Sequence, residues 1–372
     1  MTDFPPAEYE ARVTRAQGAM AAAGMDALLM MTEVEVRYFS GFRTAFWQSS
    51  TRPWFLIVPR IGAPVAVVPE IGEALMRSTW VRDVRVWSSP HPSDDGVSLL
   101  RDALAGFGVV GMPMGRASAL RMSMLDFRRL GVEPVDASAL VWNLRFVKSA
   151  AEIEAMAAIC AVGSRAFARA GSLFSGGMAL DAAFRAFRIA LLEEGAEEVP
   201  YVVGGAGADG YGDVISPPGA TALRRGDVLM LDTGASLRGY FCDFDRNFAI
   251  GHASDTAKRA YRTLWEATEA GLSAARPGRT CSEVHAAMTA ALGDADGGIG
   301  RLGHGLGTEL TEEPSLAAFE DRVLVPGMVL TLEPSIGVGP GTMMVTEENI
   351  VVTEDGPRLL TERAAPELPV IG

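Results

Sequence analysis

Residues 227–251, "DVLMLDTGASLRGYFCDFDRNFAIG", predict a β-hairpin whose strands carry acidic side chains. "VLMLD" and "YFCDFDRNFAI" have the apolar and aromatic composition of strands, and "ASLRG" has that of a turn. A turn centred on Leu237 and Arg238 places Asp232 directly opposite Asp243. Opposed side chains in an antiparallel pair have Cβ atoms about 4.5–5.5 Å apart, and like charges there repel each other. A bound cation reverses this interaction, so the pair predicts a metal site.

A second predicted hairpin repeats the arrangement over residues 328–356, "MVLTLEPSIGVGPGTMMVTEENIVVTEDG", with "GPG" at its tip. Centring this turn on Pro340 places Glu333 opposite Glu347. Two separate hairpins thus each set a pair of carboxylates across a β-ladder. A single pair could arise by chance, but two pairs in one chain favour a shared functional site.

His304 adds an imidazole to this set from residues 301–314, "RLGHGLGTELTEEP". Four carboxylates and one imidazole form an oxygen-rich set without thiolate, which favours Mn²⁺, Co²⁺ or Fe²⁺ over structural zinc. Such a set can hold two ions about 3.5–4 Å apart, the spacing at which metal pairs activate water to attack a carbonyl. The residues therefore predict a hydrolase with two divalent ions; Mn²⁺ is expected, and Co²⁺, Fe²⁺ or Zn²⁺ are alternatives.

The length of 372 residues predicts two domains, which we expect at 1–147 and 148–372. Strand and helix patterns alternate in the first part, which predicts an α/β domain with a mostly parallel or mixed sheet. Ser149 and Glu152 have the spacing of a capping box that opens a helix. The glycine-rich segment 204–227 is predicted to be a loop.

The formal charge of −13 argues against nucleic acid or an anionic membrane as a partner. No apolar run has the roughly 18 residues needed to span a bilayer, and the start lacks the pattern of a secretory signal. Three scattered cysteines do not form a disulfide framework. A cytoplasmic location is expected.

Several motifs together resemble the pita-bread metallopeptidases: aminopeptidase P, prolidase, methionine aminopeptidase and the related creatinase. They are "LDTGASLRGYFCDFDRNF", "GHGLGTELTEEP", "TLEPSIGV" and "TEENIVVTEDG" in the second half, and "RYFSGF" and "KSAAEIEAM" before them. The resemblance implies an α/β N-terminal domain followed by an α+β pita-bread catalytic domain, and a homodimer. It also implies a dinuclear metal centre with five ligands: Asp232, Asp243, His304, Glu333 and Glu347.

The chain departs from this family pattern at positions around the expected ligands. Thr311 and Ile215 stand where these peptidases usually carry histidines that position the peptide and stabilise the tetrahedral intermediate. Val345 stands in place of an arginine. Asp245 replaces a threonine on the strand face of Asp243, where it adds a third carboxylate near the metals.

These departures leave three functions open. The first is cleavage of X-Pro peptides by attack of activated water on the amide carbonyl, with Glu333 as proton acceptor and Thr311, Asp213 or Tyr211 covering for the histidines. The second is a reaction on a small non-peptide substrate, resembling that of ectoine hydrolases or of the sulfoniopropionate lyase of this fold. The third is a binding module without catalysis.

Overall fold

The computed structural model describes residues 3–49, 51–116, 118–293 and 300–372. These residues form two compact units, the first ending at Arg145 and the second beginning at Phe146. Across the described ranges, every helix is too short or too polar to cross a membrane.

The described part of the first unit contains one mixed sheet. Its strands are β1 (Ala27–Met30), β2 (Phe55–Pro59), β3 (Val65–Pro69), β4 (Asp83–Trp87), β5 (Val110–Met112) and β6 (Val135–Asp136). Their order in the sheet is β4-β3-β2-β1-β5-β6. β2 is antiparallel to β1 and β3, whereas the β1–β5, β3–β4 and β5–β6 pairs are parallel. The mixed sheet predicted from the sequence is confirmed.

Helices cover both faces of this sheet. They are α1 (Pro6–Ala23), α2 (Glu33–Ser40), α3 (Glu73–Arg77), α4 (Val97–Leu104), α5 (Met124–Leu130) and α6 (Ser138–Phe146). Successive side chains of a strand point to opposite faces. Leu28 therefore packs in the core shared with α1, α2 and α6, while Leu29 packs with α4 and α5.

The described residues of the second unit include five α-helices: α7 (Ala150–Ala168), α8 (Ala170–Leu173), α9 (Leu180–Glu193), α10 (Asp255–Ala274) and α11 (Cys281–Leu292). The predicted capping box opens α7, because the Ser149 side chain accepts from the backbone N–H of Glu152 and the Glu152 carboxylate accepts from that of Ser149. Thr280 and Glu283 cap α11 in the same way.

The strands of the second unit make up the rest of the fold. They are β7 (Val202–Ala208), β8 (Asp227–Thr233), β9 (Ser236–Leu237), β10 (Tyr240–Phe241), β11 (Phe244–Ile250), β12 (His304–Gly305), β13 (Glu312–Ser315), β14 (Val329–Leu332), β15 (Ser335–Gly339), β16 (Thr342–Val345), β17 (Glu348–Thr353), β18 (Gly356–Leu359) and β19 (Val370–Ile371). The two larger sheets have the orders β19-β11-β8-β7 and β13-β12-β14-β17-β18. The prediction of a loop from 204 onward is wrong for β7, which pairs with β8 along its whole length.

The first hairpin has a different register from the predicted one. Asp232 lies opposite Asp245, not Asp243. The reason is the turn: Arg238 and Gly239 both have positive φ, 52° and 72°, and form its two central residues. Such two-residue turns require positive φ at both positions, and glycine adopts it without cost. The turn is therefore centred one residue later than predicted.

The second hairpin has the predicted register. Leu332 pairs with Glu348 on one side, and Ser335 pairs with Val345 on the other. Glu333 therefore lies opposite Glu347, between the ladder of β14 and β17 and the ladder of β15 and β16.

Candidate metal centre

Three aspartates lie on one face of the β8–β11 ladder. Asp232 is the second-to-last residue of β8, and Asp245 lies opposite it on β11. Asp243 precedes β11 by one residue. Asp243 and Asp245 are 4% and 2% exposed. Because side chains alternate along a strand, residues 243 and 245 share a face. The register correction thus leaves all three carboxylates on the same side of the sheet.

His304 joins this face from β12. Its Nε2 lies 3.4 Å from Oδ2 of Asp243, and its Nδ1 lies 2.8 Å from the carbonyl oxygen of Gly305. Ligand atoms of Asp243, His304 and Glu347 all lie within 4.8 Å of one another, and all three residues are buried. A hydrogen bond from Nδ1 to a carbonyl fixes the tautomer that leaves Nε2 free to bind a metal.

Tyr201, which precedes β7, is a site residue that the sequence did not reveal. Its hydroxyl donates to Oδ1 of Asp243 at 2.6 Å and lies 3.2 Å from Oδ2 of Asp232. Gly234 makes room for the ring, since a Cβ on this glycine would lie 2.3 Å from Cε1 of Tyr201. The sequence signal was the glycine two residues after Asp232, and a glycine does not identify the side chain that packs against it.

The backbone beneath the acidic cluster is held by two further side chains. The Asn349 amide accepts from the N–H of Asp243 at 3.0 Å and donates to the carbonyl oxygen of the same residue. Nη1 of Arg246 donates to the carbonyl oxygens of Asp245 and Glu347, at 2.6 and 3.0 Å. These bonds join the two hairpins at the positions that carry the carboxylates.

Burial and mutual repulsion make the acidic cluster hard to ionise. Burial, followed by the charge of Asp243, raises the pKa of Asp232 and of Glu347 well above their ordinary values. Burial also raises the pKa of Glu333, against the opposing effect of His304. The pKa of Tyr201 is raised by burial and by its two aspartate neighbours. Such a cluster favours protons or metal cations.

Two polar atoms support metal binding more directly. Within the described residues, Oδ1 of Asp232 and Oε1 of Glu347 are buried and have no hydrogen-bond partner. Buried polar groups are nearly always satisfied, so an orphaned carboxylate oxygen requires an explanation. Hard oxygen donors beside one imidazole fit a divalent cation such as Mn²⁺.

Thr311 has an exposed side chain. The next residue, Glu312, is buried and pairs with the buried Lys148 at 2.9 Å. The Glu312 carboxylate also accepts from the backbone N–H groups of Thr308 and Glu309, at 2.9 and 3.2 Å. Glu312 thereby fixes the loop that connects His304 to Thr311.

Asp213 lies in an exposed turn, where its carboxylate accepts from the N–H groups of Ile215 and Ser216 at 2.8 and 3.1 Å. Hydrogen bonds from Ser216 and Ile215 hold the pKa of Asp213 below its ordinary value. Ile215 itself is 78% exposed. The described contacts of Asp213 stay within this turn, and a lowered pKa makes it a weak proton acceptor.

Tyr211 and Val345 are buried and bonded to each other. The Val345 N–H donates to the Tyr211 hydroxyl at 2.7 Å, and that hydroxyl lies 3.2 Å from Oδ1 of Asn247. Tyr211 also forms a β-bridge with Met343. The residue therefore ties its loop to the second hairpin.

This fold and acidic cluster define a class of protein. The chain belongs to metallopeptidase family M24, whose model matches residues 154–354, and residues 12–147 match the creatinase/prolidase N-terminal domain. It is a metal-dependent hydrolase with an α/β N-terminal domain and an α+β pita-bread domain, as the motifs predicted.

Its relatives are peptidases by name. The probable dipeptidase PepE of Mycobacterium tuberculosis is 32% identical over 368 residues, which cover 95% of this chain and 94% of the relative. The crystal structure of dipeptidase PepE from Mycobacterium ulcerans has 30% identity and a TM-score of 0.85, and 99% of each chain is covered. The Xaa-Pro dipeptidase of Pyrococcus furiosus is 32% identical over 143 residues, 38% of this chain and 41% of the relative.

Proposed function

We propose that the chain is a dipeptidase that cleaves X-Pro peptides with two bound divalent ions. Mn²⁺ is the ion that we propose first. The observation that carries the proposal is the buried group of Asp243, His304 and Glu347, whose ligand atoms lie within 4.8 Å of one another. The named activities of the relatives support a dipeptide substrate. Bound ions would supply an activated water and polarise the amide carbonyl.

In this proposal Asp232, Asp243, His304, Glu333 and Glu347 are the metal ligands. The unpartnered oxygens of Asp232 and Glu347 support their assignment. Glu333 is also the proposed proton acceptor, because it is half-buried at the end of β14 and so is more accessible than Glu347. It would take a proton from the attacking water and return it to the leaving nitrogen.

Thr311 and Asp213 remain proposed substrate contacts. Both side chains are exposed, so each is available to a bound peptide. The lowered pKa of Asp213 suits a carboxylate that binds the peptide amino group better than it suits a base. A homodimer and a cytoplasmic location complete the proposal.

A small non-peptide substrate is the second candidate. Its support is two of the departures from the family pattern: Ile215 is 78% exposed and apolar, and Val345 is buried and apolar. Neither offers a donor to a tetrahedral intermediate. The site would then keep its metal chemistry while it acts on a small non-peptide substrate.

Metal analysis and peptide hydrolysis test the first candidate together. The wild-type protein, freed of metal by chelation and reloaded with Mn²⁺, should retain about two ions per chain and hydrolyse X-Pro dipeptides. Asp243→Ala should lose both properties. Asp255→Asn, which removes an exposed charge on α10, should keep both. Metal binding without X-Pro turnover would select the second candidate, and a wild-type protein that retains no divalent ion would refute the metal centre.

A further inference from the structure

Asp245 is a buried carboxylate that the five-ligand set does not use. It lies directly opposite Asp232 in the β8–β11 ladder and is 2% exposed. At this position the two Cβ atoms are about 4.5–5.5 Å apart, and like charges destabilise a ladder. The strand pairing therefore brings a further negative charge to Asp232.

The hydrogen-bond donor to the Asp245 side chain is uncharged. Its Oδ1 accepts from Nδ2 of Asn247 at 3.3 Å, and the same amide donates to the carbonyl oxygen of Val345 at 2.7 Å. Arg246 forms its ion pair with Glu348, at 3.0 Å, and touches Asp245 through the backbone carbonyl. The side-chain hydrogen bond to Asp245 thus comes from a neutral group.

The unpartnered Oε1 of Glu347, a residue that is 3% exposed, indicates independently that this cluster holds a cation. Burying a carboxylate without a compensating charge is costly. A divalent cation beside Asp232 would offset the cost for Asp245 as well. Substituting a residue close to the metal ligands typically changes metal affinity about 10–100-fold.

We propose that Asp245 is a positioning residue of the metal centre, which acts through Asp232 to strengthen the binding of divalent cations. The inference rests on the proposed ligand set and adds to it a carboxylate outside that set. Asn247 orients the Asp245 side chain, and the Asp245 charge increases the attraction of the Asp232 side of the site for a cation. Metal affinity should depend on Asp245, while metal stoichiometry should not.

Titration of the metal-free protein with Mn²⁺, by calorimetry and by electron paramagnetic resonance, tests the inference without an activity assay. Asp245→Asn keeps the shape and removes the charge, and should weaken Mn²⁺ binding about 10–100-fold at unchanged stoichiometry. Asp245→Thr is a second, smaller neutral variant. Asp255→Asn is the matched control, because it removes one negative charge from a side chain that is 84% exposed; it should bind as the wild type does.

Thermal unfolding separates this role from a merely structural one. Without metal, Asp245→Asn should be at least as stable as the wild type, because burying a carboxylate opposite Asp232 is costly. Adding Mn²⁺ should raise the melting temperature of Asp245→Asn by less than it raises that of the wild type, since this increase depends on the affinity for the ion. An affinity within twofold of wild type in both variants, or loss of one bound ion, would overturn the positioning role. A wild-type protein that binds no Mn²⁺ would instead refute the proposed metal centre itself.

Discussion

The hydroxyl of Tyr201 lies 2.6 Å from Oδ1 of Asp243 and is the donor of a partly buried, charge-assisted hydrogen bond. Asp243 also lies 3.4 Å from the imidazole of His304. A side chain from the start of β7 thus orients a carboxylate at the start of β11. The proposed metal ligand Asp243 therefore depends on Tyr201 for its orientation.

Replacing Tyr201 by phenylalanine removes the hydroxyl and keeps the ring. A hydrogen bond to a charged group contributes about 1.5–3 kcal/mol, which corresponds to a roughly 10–100-fold change. We expect Tyr201→Phe to lower kcat/KM for an X-Pro dipeptide by that factor at saturating Mn²⁺, with unchanged metal content. Steady-state kinetics beside metal analysis measure it. A kcat/KM within twofold of wild type would show that the hydroxyl is dispensable.

Gly234→Ala should displace the Tyr201 ring, because the added Cβ would lie 2.3 Å from its Cε1. Overpacking of this kind costs about 1–3 kcal/mol in the free energy of unfolding. We expect this loss together with a fall in kcat/KM. In a Tyr201→Ala background the same glycine substitution should cost less, since the ring is gone. Part of the cost should remain, because the same Cβ would lie 2.6 Å from Cδ1 of Leu310. Equal costs in both backgrounds, measured by urea denaturation, would contradict a clash with the Tyr201 ring.

Lys148→Met should destabilise the protein by removing the buried Nζ that lies 2.9 Å from the Glu312 carboxylate. Their side chains are 3% and 1% exposed. Breaking a buried pair by removing one partner costs about 3–5 kcal/mol. Lys258→Met is the matched control, because Lys258 is 57% exposed and pairs with an exposed aspartate; its effect should stay below about 1 kcal/mol. Similar losses in the two variants, measured by chemical denaturation, would refute a special role for the buried pair.

Glu35 gives the first unit a pH dependence. Burial raises its pKa above the ordinary value, against the capping hydrogen bonds from Thr32. The folded state therefore holds this proton more tightly than the unfolded state. The associated stability is fully present below the unfolded pKa, about 4.3, and is lost as the pH rises through the folded pKa.

Glu35→Gln removes this titration and keeps an acceptor for the Thr32 N–H. Unfolding midpoints of wild type and variant should therefore diverge as the pH rises from about 4 to 8, with the wild type losing stability relative to the variant. A constant difference across this range would mean that the pKa of Glu35 is the same in both states.

The two hairpins show what the sequence can predict and what it cannot. The residues "GPG" indicate where the second hairpin turns. The register predicted from them is confirmed by the Leu332–Glu348 pair. In the first hairpin, Gly239 favours a turn one residue later. Moving the centre of a turn by one residue moves each partner by two, which preserves the side-chain face. The predicted partner of Asp232 was wrong, but the predicted clustering of the aspartates did not depend on it.

Tyr201 could not be predicted because its place depends on the pairing of β7 with β8. That pairing aligns Val203 with Asp232. β7 contains three glycines, which are unfavourable in strands, so its local sequence favours a loop. Hydrogen bonding to β8 overrides this preference. Because that pairing is not encoded in the local sequence, no local pattern indicates the position of Tyr201.

The bonds from Arg246 to the carbonyl oxygens of Asp245 and Glu347 join parts of the chain that are translated far apart. A ribosome-bound chain that has released only the first hairpin holds its aspartates without His304 or the second pair of glutamates. A preformed site rarely exists before such distant segments meet. The proposed ligand set is therefore complete only after Glu347 has left the ribosome.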